Sequence, residues 1–316
     1  MKFKNSIKTL AVALLMAILV PAVAAPPSPA APRAVQESFA TPADAAAALA
    51  DAVRAMDRKA LLAVVGPSSV SWLFSGDAVA DRADWQRFLT AYDEKHSIKE
   101  QGADHAVLEV GAGDWPFPAP LVRNGDRWLF DAEAGKEEIT NRRIGQNELD
   151  TIQTLLAIVD AQREYATDDP DGNGFNDYAR RFISSKGKKD GLYWPVPEGQ
   201  PASPLGPLVG EATRAGYAKA KKKGDQPTPY HGYYYRMLTG EGKNAPGGAY
   251  SYLVDGKMIG GFAVVAYPAR YGVSGVMTFL VNHDGTIYQK DLGKDTETLA
   301  LKMSRFDPDS TWTPTH

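Results

Sequence analysis

Between Asn147 and Ala166 apolar residues return every three or four positions, at Leu149, Ile152, Leu156 and Val159, with Leu155 and Ile158 widening the stripe. That period predicts a long amphipathic helix with one broad buried face. Nearer the N-terminus the same period recurs in shorter pieces. Thr41-Pro42-Ala43-Asp44 supplies an N-cap, a proline at the first helical position and an acid in the first turn, and Ala45, Ala48, Leu49, Ala52, Val53 and Met56 then mark one face. Asp57-Arg58 leads into a second helix over 60–65 that Gly66-Pro67 stops, and Trp85, Phe88, Leu89 and Tyr92 define a third over 82–92.

After these helices the period falls to two. Residues 105–110 alternate, and the prolines of Trp115-Pro116-Phe117-Pro118-Ala119-Pro120 forbid helix and place that strand at an edge or a bulge. Asn124-Gly125 between apolar runs is a hairpin signal that leads into Trp128-Leu129-Phe130. Beyond the long helix, a second helix is predicted over 176–183, then an irregular stretch over 190–229 that holds a helix from Leu208 to Lys219. Strand-like runs follow at 233–238, 249–254, 261–267, 276–281 and 286–289, separated by Asp255-Gly256, Tyr271-Gly272 and Asp284-Gly285 turns. This reads as an antiparallel meander whose apolar face needs the long helix as cover. Alternation sends Tyr233 and Tyr235 to one face and Tyr234 to the other. The dense tyrosines from Tyr193 to Tyr271 then read as a packed sheet before they read as a glycan- or peptide-binding surface.

The predicted fold class is therefore α+β, in two modules: a helix-then-antiparallel-sheet cone over 38–134, and a long helix packed on an antiparallel meander over 147–316. A charged segment, 135–146, reads as the connector. Residues 1–24 read as a signal peptide, with Lys2, Lys4 and Lys8 ahead of an apolar run from Leu10 to Val20 and Ala22-Val23-Ala24 as the cleavage signature. The run is shorter than the roughly 20 residues a span requires, so no permanent membrane span is expected after cleavage. Residues 25–37, rich in proline and alanine, read as an extended tether. The expected location is periplasmic or secreted.

Composition narrows the chemistry. Among 316 residues there is no cysteine, which removes disulfides, thiolate metal sites and cysteine nucleophiles. A formal charge of −3 argues against nucleic acid as a partner, and the one dense basic run, Lys219 and Lys221 to Lys223, reads as a solvated loop. Asp169-Pro170-Asp171-Gly172-Asn173-Gly174 spaces oxygen ligands at alternate positions, so Asp169, Asp171, Asn173 and Asp177 form a candidate calcium loop, competing with a plain helix-capping turn. Arg180 stands where a closing glutamate belongs, which excludes an EF-hand proper. No other cofactor is expected. The five histidines are scattered singly, and His231, in Pro229-Tyr230-His231-Gly232-Tyr233, is the candidate base, grouped with Asp190, Tyr193 and Arg236 because all lie in or near the least regular segment. No nucleophile elbow, phosphate loop or dinucleotide fingerprint is present; Gly240-Glu241-Gly242-Lys243 falls between strands and lacks its third glycine.

Thr41-Pro42 through Asp131 resembles the small helix-then-sheet cones of the nuclear-transport-factor-like and cystatin-like superfold. The helix over 147–166 followed by strands ending in Ser274-Gly275-Val276-Met277-Thr278-Phe279 and Asp284-Gly285-Thr286-Ile287-Tyr288 resembles the head of type IV pilin-like and pseudopilin-like proteins. The whole order of segments resembles a family of exported bacterial proteins known only as a domain of unknown function. That likeness rests on Ser75-Gly76-Asp77, Asp114-Trp115-Pro116-Phe117-Pro118, Asn141-Arg142-Arg143-Ile144-Gly145, Asp190-Gly191-Leu192-Tyr193-Trp194, Pro229-Tyr230-His231-Gly232-Tyr233 and Tyr271-Gly272-Val273-Ser274-Gly275. It implies the layout and no activity. The expectation is an exported envelope protein, a non-catalytic module for binding or assembly with an envelope protein or a glycan. The alternative is an envelope hydrolase with a site near Asp190, Tyr193 and His231.

Overall fold

The computed structural model describes residues 36–217 and 228–315, so the signal segment, nearly all of the tether, the Lys219 to Lys223 run and His316 lie outside it. Thr41 caps α1 (Pro42–Arg54), its Oγ1 accepting from the Asp44 amide at 3.1 Å. Asp57 caps α2 (Arg58–Val65) in the same way. A short α3 (Val70–Leu73) then carries Trp72 into the core, and Asp77 caps α4 (Ala78–Glu94). The chain turns into β1 (His96–Glu100), β2 (His105–Val110), β3 (Trp115–Pro116), β4 (Leu121–Asn124) and β5 (Arg127–Phe130), an antiparallel sheet of order β1-β2-β4-β5 in which β3 pairs with the Glu109-Val110 end of β2. The proline-bearing β3 is two residues long, as its missing donors require. The first strand was not legible in the sequence: it is exposed apart from a half-buried Ile98 and carries no apolar alternation.

α5 (Lys136–Asp168) is a single helix of 33 residues. The segment read as a connector, 135–146, is its first turns. Glu137 and Glu138 favour the N-terminal end, an Arg142–Glu138 pair braces one turn, and the helix runs through Gly145 without a break. Its buried face is also rotated from the apolar stripe. Leu149 is 62% exposed and Leu156 39%, whereas Thr151 and Gln162 are fully buried. Polar partners decide this: Gln162 donates to Ala179 O at 2.9 Å and accepts from Ala179 N at 2.8 Å, and Asn147 Nδ2 donates to Ser274 O at 2.9 Å. An amide held on both sides costs little to bury.

The predicted helix over 176–183 does not form. The Tyr178 amide bonds to Met258 O and the Ala179 amide to Gln162, so these donors are spent on tertiary partners instead of on carbonyls four residues back. α6 (Gly206–Ala215) begins and ends slightly earlier than the pattern suggested. Then come β6 (Tyr233–Leu238), the short β7 (Gly240–Glu241), β8 (Tyr250–Ser251), β9 (Leu253–Val254) and β10 (Lys257–Met258), and the long β11 (Ala263–Pro268), β12 (Met277–Asn282) and β13 (Ile287–Asp291). After α7 (Thr296–Lys302) and β14 (Thr313–Pro314) the sheet order is β14-β13-β12-β11-β6, all antiparallel. The tyrosines alternate as the period demands. Tyr233 and Tyr235 reach Glu148 and Thr151 of α5, while Tyr234 packs on Tyr267. Gly275 is needed beneath Tyr233, whose Oη would lie 2.1 Å from any added Cβ.

The class is α+β. Two apolar clusters form within one compact unit: Leu49, Leu61, Trp72, Leu108, Leu121 and Phe130 centre the first, and Leu155, Tyr233, Val265, Phe279 and Phe306 belong to the second. Among the described residues no helix is long and apolar enough to cross a membrane. Gln162→Leu leaves the Ala179 amide and carbonyl unpaired in the core and is expected to cost about 2–4 kcal/mol. Leu156→Gln, on the exposed side, should cost no more than about 0.5 kcal/mol. Urea denaturation of the two variants checks the rotated face.

Candidate functional site

The seam between the two clusters is built around Asp77, which is 1% exposed. Its Oδ1 accepts from the Val79 and Ala80 amides, each at 3.1 Å, and so caps α4. Its Oδ2 accepts from the Tyr217 hydroxyl at 2.7 Å and from the Gly232 amide at 3.1 Å. Burial, and next the Asp77 charge, push the Tyr217 phenol well above its ordinary value, so it stays a donor. Gly232, at φ +73°, has Asn147 Nδ2 only 2.6 Å from where a Cβ would stand, so both its conformation and its closeness require glycine. Arg270 Nη1 donates to Phe74 O at 2.7 Å, and Ser274 Oγ donates to Gly232 O at 2.8 Å, which completes the seam.

Beside this seam lies a cavity of about 1040 Å³. Its accessible apolar lining is Phe88 from α4 facing Phe117 after β3, with Trp85, Trp115 and Ile139, while Leu49, Val53, Leu61 and Trp72 lie sealed behind them. One wall is the start of α5, from Ile139 through Arg143 to Asp150, and the far edge is Arg214, Tyr217 and His231. The size is at the upper end of the range for small-molecule sites, roughly 300–1,000 Å³. Its charged lining is four arginines, Arg87, Arg142, Arg143 and Arg214, against Asp84 and Asp150, with His231. Arg87 is committed to Asp84, and Arg142 is paired with Glu138 and lies over the Trp115 ring at 5.8 Å. Arg143 has no carboxylate within ion-pair distance among the described residues. Its Nη2 donates to Trp72 O, and its Nη1 is sealed from solvent without a partner. Burial lowers its pKa, against the pull of the Asp81 and Asp84 charges. Asp81 does not close on it; both its oxygens accept from the Ser75 amide, at 3.0 and 3.1 Å, and burial raises its pKa.

The candidate set named from the sequence is dispersed. His231, at φ +50°, sits at the cavity edge with Nδ1 3.3 Å from Asp150 Oδ2, a histidine–carboxylate pair that the sequence did not suggest. Asp190 instead accepts from the Ser185 amide and hydroxyl at 2.7 and 2.9 Å, which holds it below the usual carboxylate value against the cost of desolvation. Tyr193 pairs through its backbone with Ile183 and Ser184. Arg236 lies on the other face of β6, where Nη2 donates to the Ala300 and Met303 carbonyls at the end of α7. Three of the four are thus tied into separate structural roles. Asp77, Arg143, Asp150 and Tyr217 were missed. Only Asp77 left a local trace, as an N-cap ahead of α4.

In the loop after α5, Asp169 at φ +42° accepts from the Asn173 and Gly174 amides at 3.0 and 2.9 Å. The Gly174 bond is the first cause holding its carboxyl below the usual value. Asn173 Nδ2 donates to Asp171 at 2.9 Å and to Asp177 at 2.8 Å, so the acids are bridged by an amide. No helix follows for them to cap. Among the described residues no group of three or more acidic or histidine side chains is arranged to hold a metal.

Two measurements follow. Asp77→Ala removes a cap and strands two buried donors, and should lower stability by about 3 kcal/mol in urea denaturation. With the loop's oxygens engaged, millimolar calcium and chelator should leave the melting temperature unchanged; a rise with calcium that chelator reverses would put an ion in the loop.

Searches of curated proteins and of solved structures each return no match. Residues 36–315 match the family described as "Protein of unknown function (DUF2950)", which takes in the whole α+β fold, the seam and the cavity, and the chain belongs to that family.

Proposed function

We propose that this chain is an exported envelope protein, periplasmic or secreted, that binds a ligand and performs no catalysis. The observation that carries the reading is the cavity of about 1040 Å³ with its mostly apolar lining. Export is supported by Lys2, Lys4 and Lys8 ahead of the apolar run and Ala22-Val23-Ala24. The helices α1 to α4 against the curled first sheet support the likeness to nuclear-transport-factor-like cones, and α5 against the meander supports the likeness to pilin-like heads. The cavity adds a small apolar occupant to the envelope protein or glycan that assembly would involve.

A hydrolytic reading draws on the His231–Asp150 pair, because a histidine oriented by a carboxylate beside a cavity is what a general base requires. No serine or threonine hydroxyl is bonded to His231 among the described residues, which is why binding is preferred.

The purified protein should bind the neutral probe N-phenyl-1-naphthylamine saturably and one to one. Ala83→Trp, on the α4 side of the cavity, should abolish that binding and leave the melting temperature within a few degrees. Absence of saturable binding by the unaltered protein would remove the basis for the reading. Turnover of ester, glycan or peptide substrates that disappears in His231→Ala would replace it with the hydrolytic one. Cell fractionation should place the chain outside the cytoplasm, with a mass that begins at Ala25.

A further inference from the structure

The accessible part of the cavity has two ends of different chemistry. At one end stand Trp85, Phe88, Trp115 and Phe117, with Trp115 40% exposed and the Phe88 and Phe117 rings 5.5 Å apart. At the other end Gln146 Nε2 donates to Asp150 Oδ1 at 2.9 Å, and Asp150 Oδ2 lies 3.3 Å from His231 Nδ1. Among the described residues Gln146 Oε1 and His231 Nε2 have no protein partner, so this end keeps planar polar groups that can meet hydroxyls. α5 sets the spacing. From Arg142, which lies over the Trp115 ring, to Asp150 the helix rises by roughly 12 Å.

The charges in the lining are largely answered within the protein. Arg87 lies against Asp84, Arg142 against Glu138 and His231 against Asp150, while Arg143 stands in the field of Asp81 and Asp84. No large surplus of either sign is left to select an ionic ligand. A wholly apolar ligand spanning both ends would take Gln146, Asp150 and His231 out of water without replacing their hydrogen bonds, which is unfavourable. A pyranose ring carries both characters, with C–H faces that lie flat on aromatic rings and hydroxyls around its edge that donate and accept.

Resting on the binding reading above, we infer that the cavity takes a short neutral glycan, with one sugar stacked at the Trp85 and Trp115 end and another hydrogen-bonded by Gln146 and His231. The distance between the ends exceeds one pyranose ring. An oligosaccharide is accordingly preferred to its monosaccharide.

Calorimetric titration of the purified protein with cellotriose, maltotriose and tri-N-acetylchitotriose tests this. At least one should bind saturably and one to one, displace N-phenyl-1-naphthylamine, and bind at least tenfold more tightly than its own monosaccharide. Its affinity should be the same in low salt and in half-molar sodium chloride, because no net charge drives it. Trp115→Ala should weaken that trisaccharide about tenfold and Trp115→Phe should recover part of the loss. Gln146→Leu should weaken it severalfold. Both positions are exposed, so the melting temperature of each variant should stay within a few degrees. Binding of the naphthylamine but of none of the trisaccharides overturns the glycan inference and leaves the binding reading standing. A trisaccharide that binds without displacing the naphthylamine, or equally well to Trp115→Ala, overturns its placement in this cavity. Failure of every probe to bind overturns the binding reading itself.

Discussion

A carboxylate buried to 1% exposure survives in a protein core only when its lone pairs are filled, and those of Asp77 are filled from two distant parts of the chain. Two acceptances come from the first turn of α4 and two from Tyr217 and Gly232, which lie at least 140 residues further on. The first pair orients the α4 N-terminus; the second draws the loop ahead of β6 against it. Neither half can satisfy the group alone. The position of α4 relative to β6, and with it the opening between α4, α5 and His231, depends on this one side chain. Arg270 on Phe74 O and Asn147 on Ser274 O repeat the arrangement with neutral carbonyls, so the seam is polar and directional while the two clusters on either side are apolar.

α5 explains why a cavity forms at that seam. Its C-terminal half buries Leu155, Ile158, Val159 and Tyr165 against the meander. Its N-terminal turns extend past that sheet and present Ile139, Arg142 and Arg143 to the first cluster. A rigid helix committed along one side cannot also bend to close over α4, and the space left between them is what Trp72, Phe88 and Phe117 line. The unbroken helix through Gly145 therefore sets the spacing of the two clusters, which a flexible connector at 135–146 would leave free to vary.

The sequence made the element types legible where burial alternates cleanly, as in β2 and β5, where an apolar run is buried on both faces, as in β11 and β12, and where a cap is local, as at Thr41 and Asp57. It failed where polar partners outvote apolar period. The rotation of α5 follows from Gln162 and Asn147, whose acceptors at Ala179 and Ser274 are chosen by tertiary structure, and no window of neighbours contains that information. The same reason dissolved the expected helix over 176–183. The site was less legible still. His231 was visible as a histidine before a strand, but Asp150, its partner, is one acid among many on a helix, and Asp190 and Arg236 were grouped with it by irregularity of the chain alone.

Five of the six segments on which the family likeness rests converge in space, and Asp190 to Trp194 lies apart from them. Ser75-Gly76-Asp77, Asn141 to Gly145, His231-Gly232 and Ser274 all contribute to the seam or the cavity wall, and Trp115 to its rim. Each has a local physical reason to be the residue it is. Gly76 stands where a Cβ would meet Arg270 at 2.9 Å, Gly232 stands against Asn147, and Ser274 is fully buried with its hydroxyl spent on Gly232 O. Such demands fix a seam, and a fixed seam is what keeps an unfilled volume open against the tendency of apolar walls to close. Arg143 alone in this set has a donor that the fold does not use. In a structure that otherwise fills its buried polar groups so closely around Asp77, that unused donor sets the wall of the cavity apart from the frame that holds it.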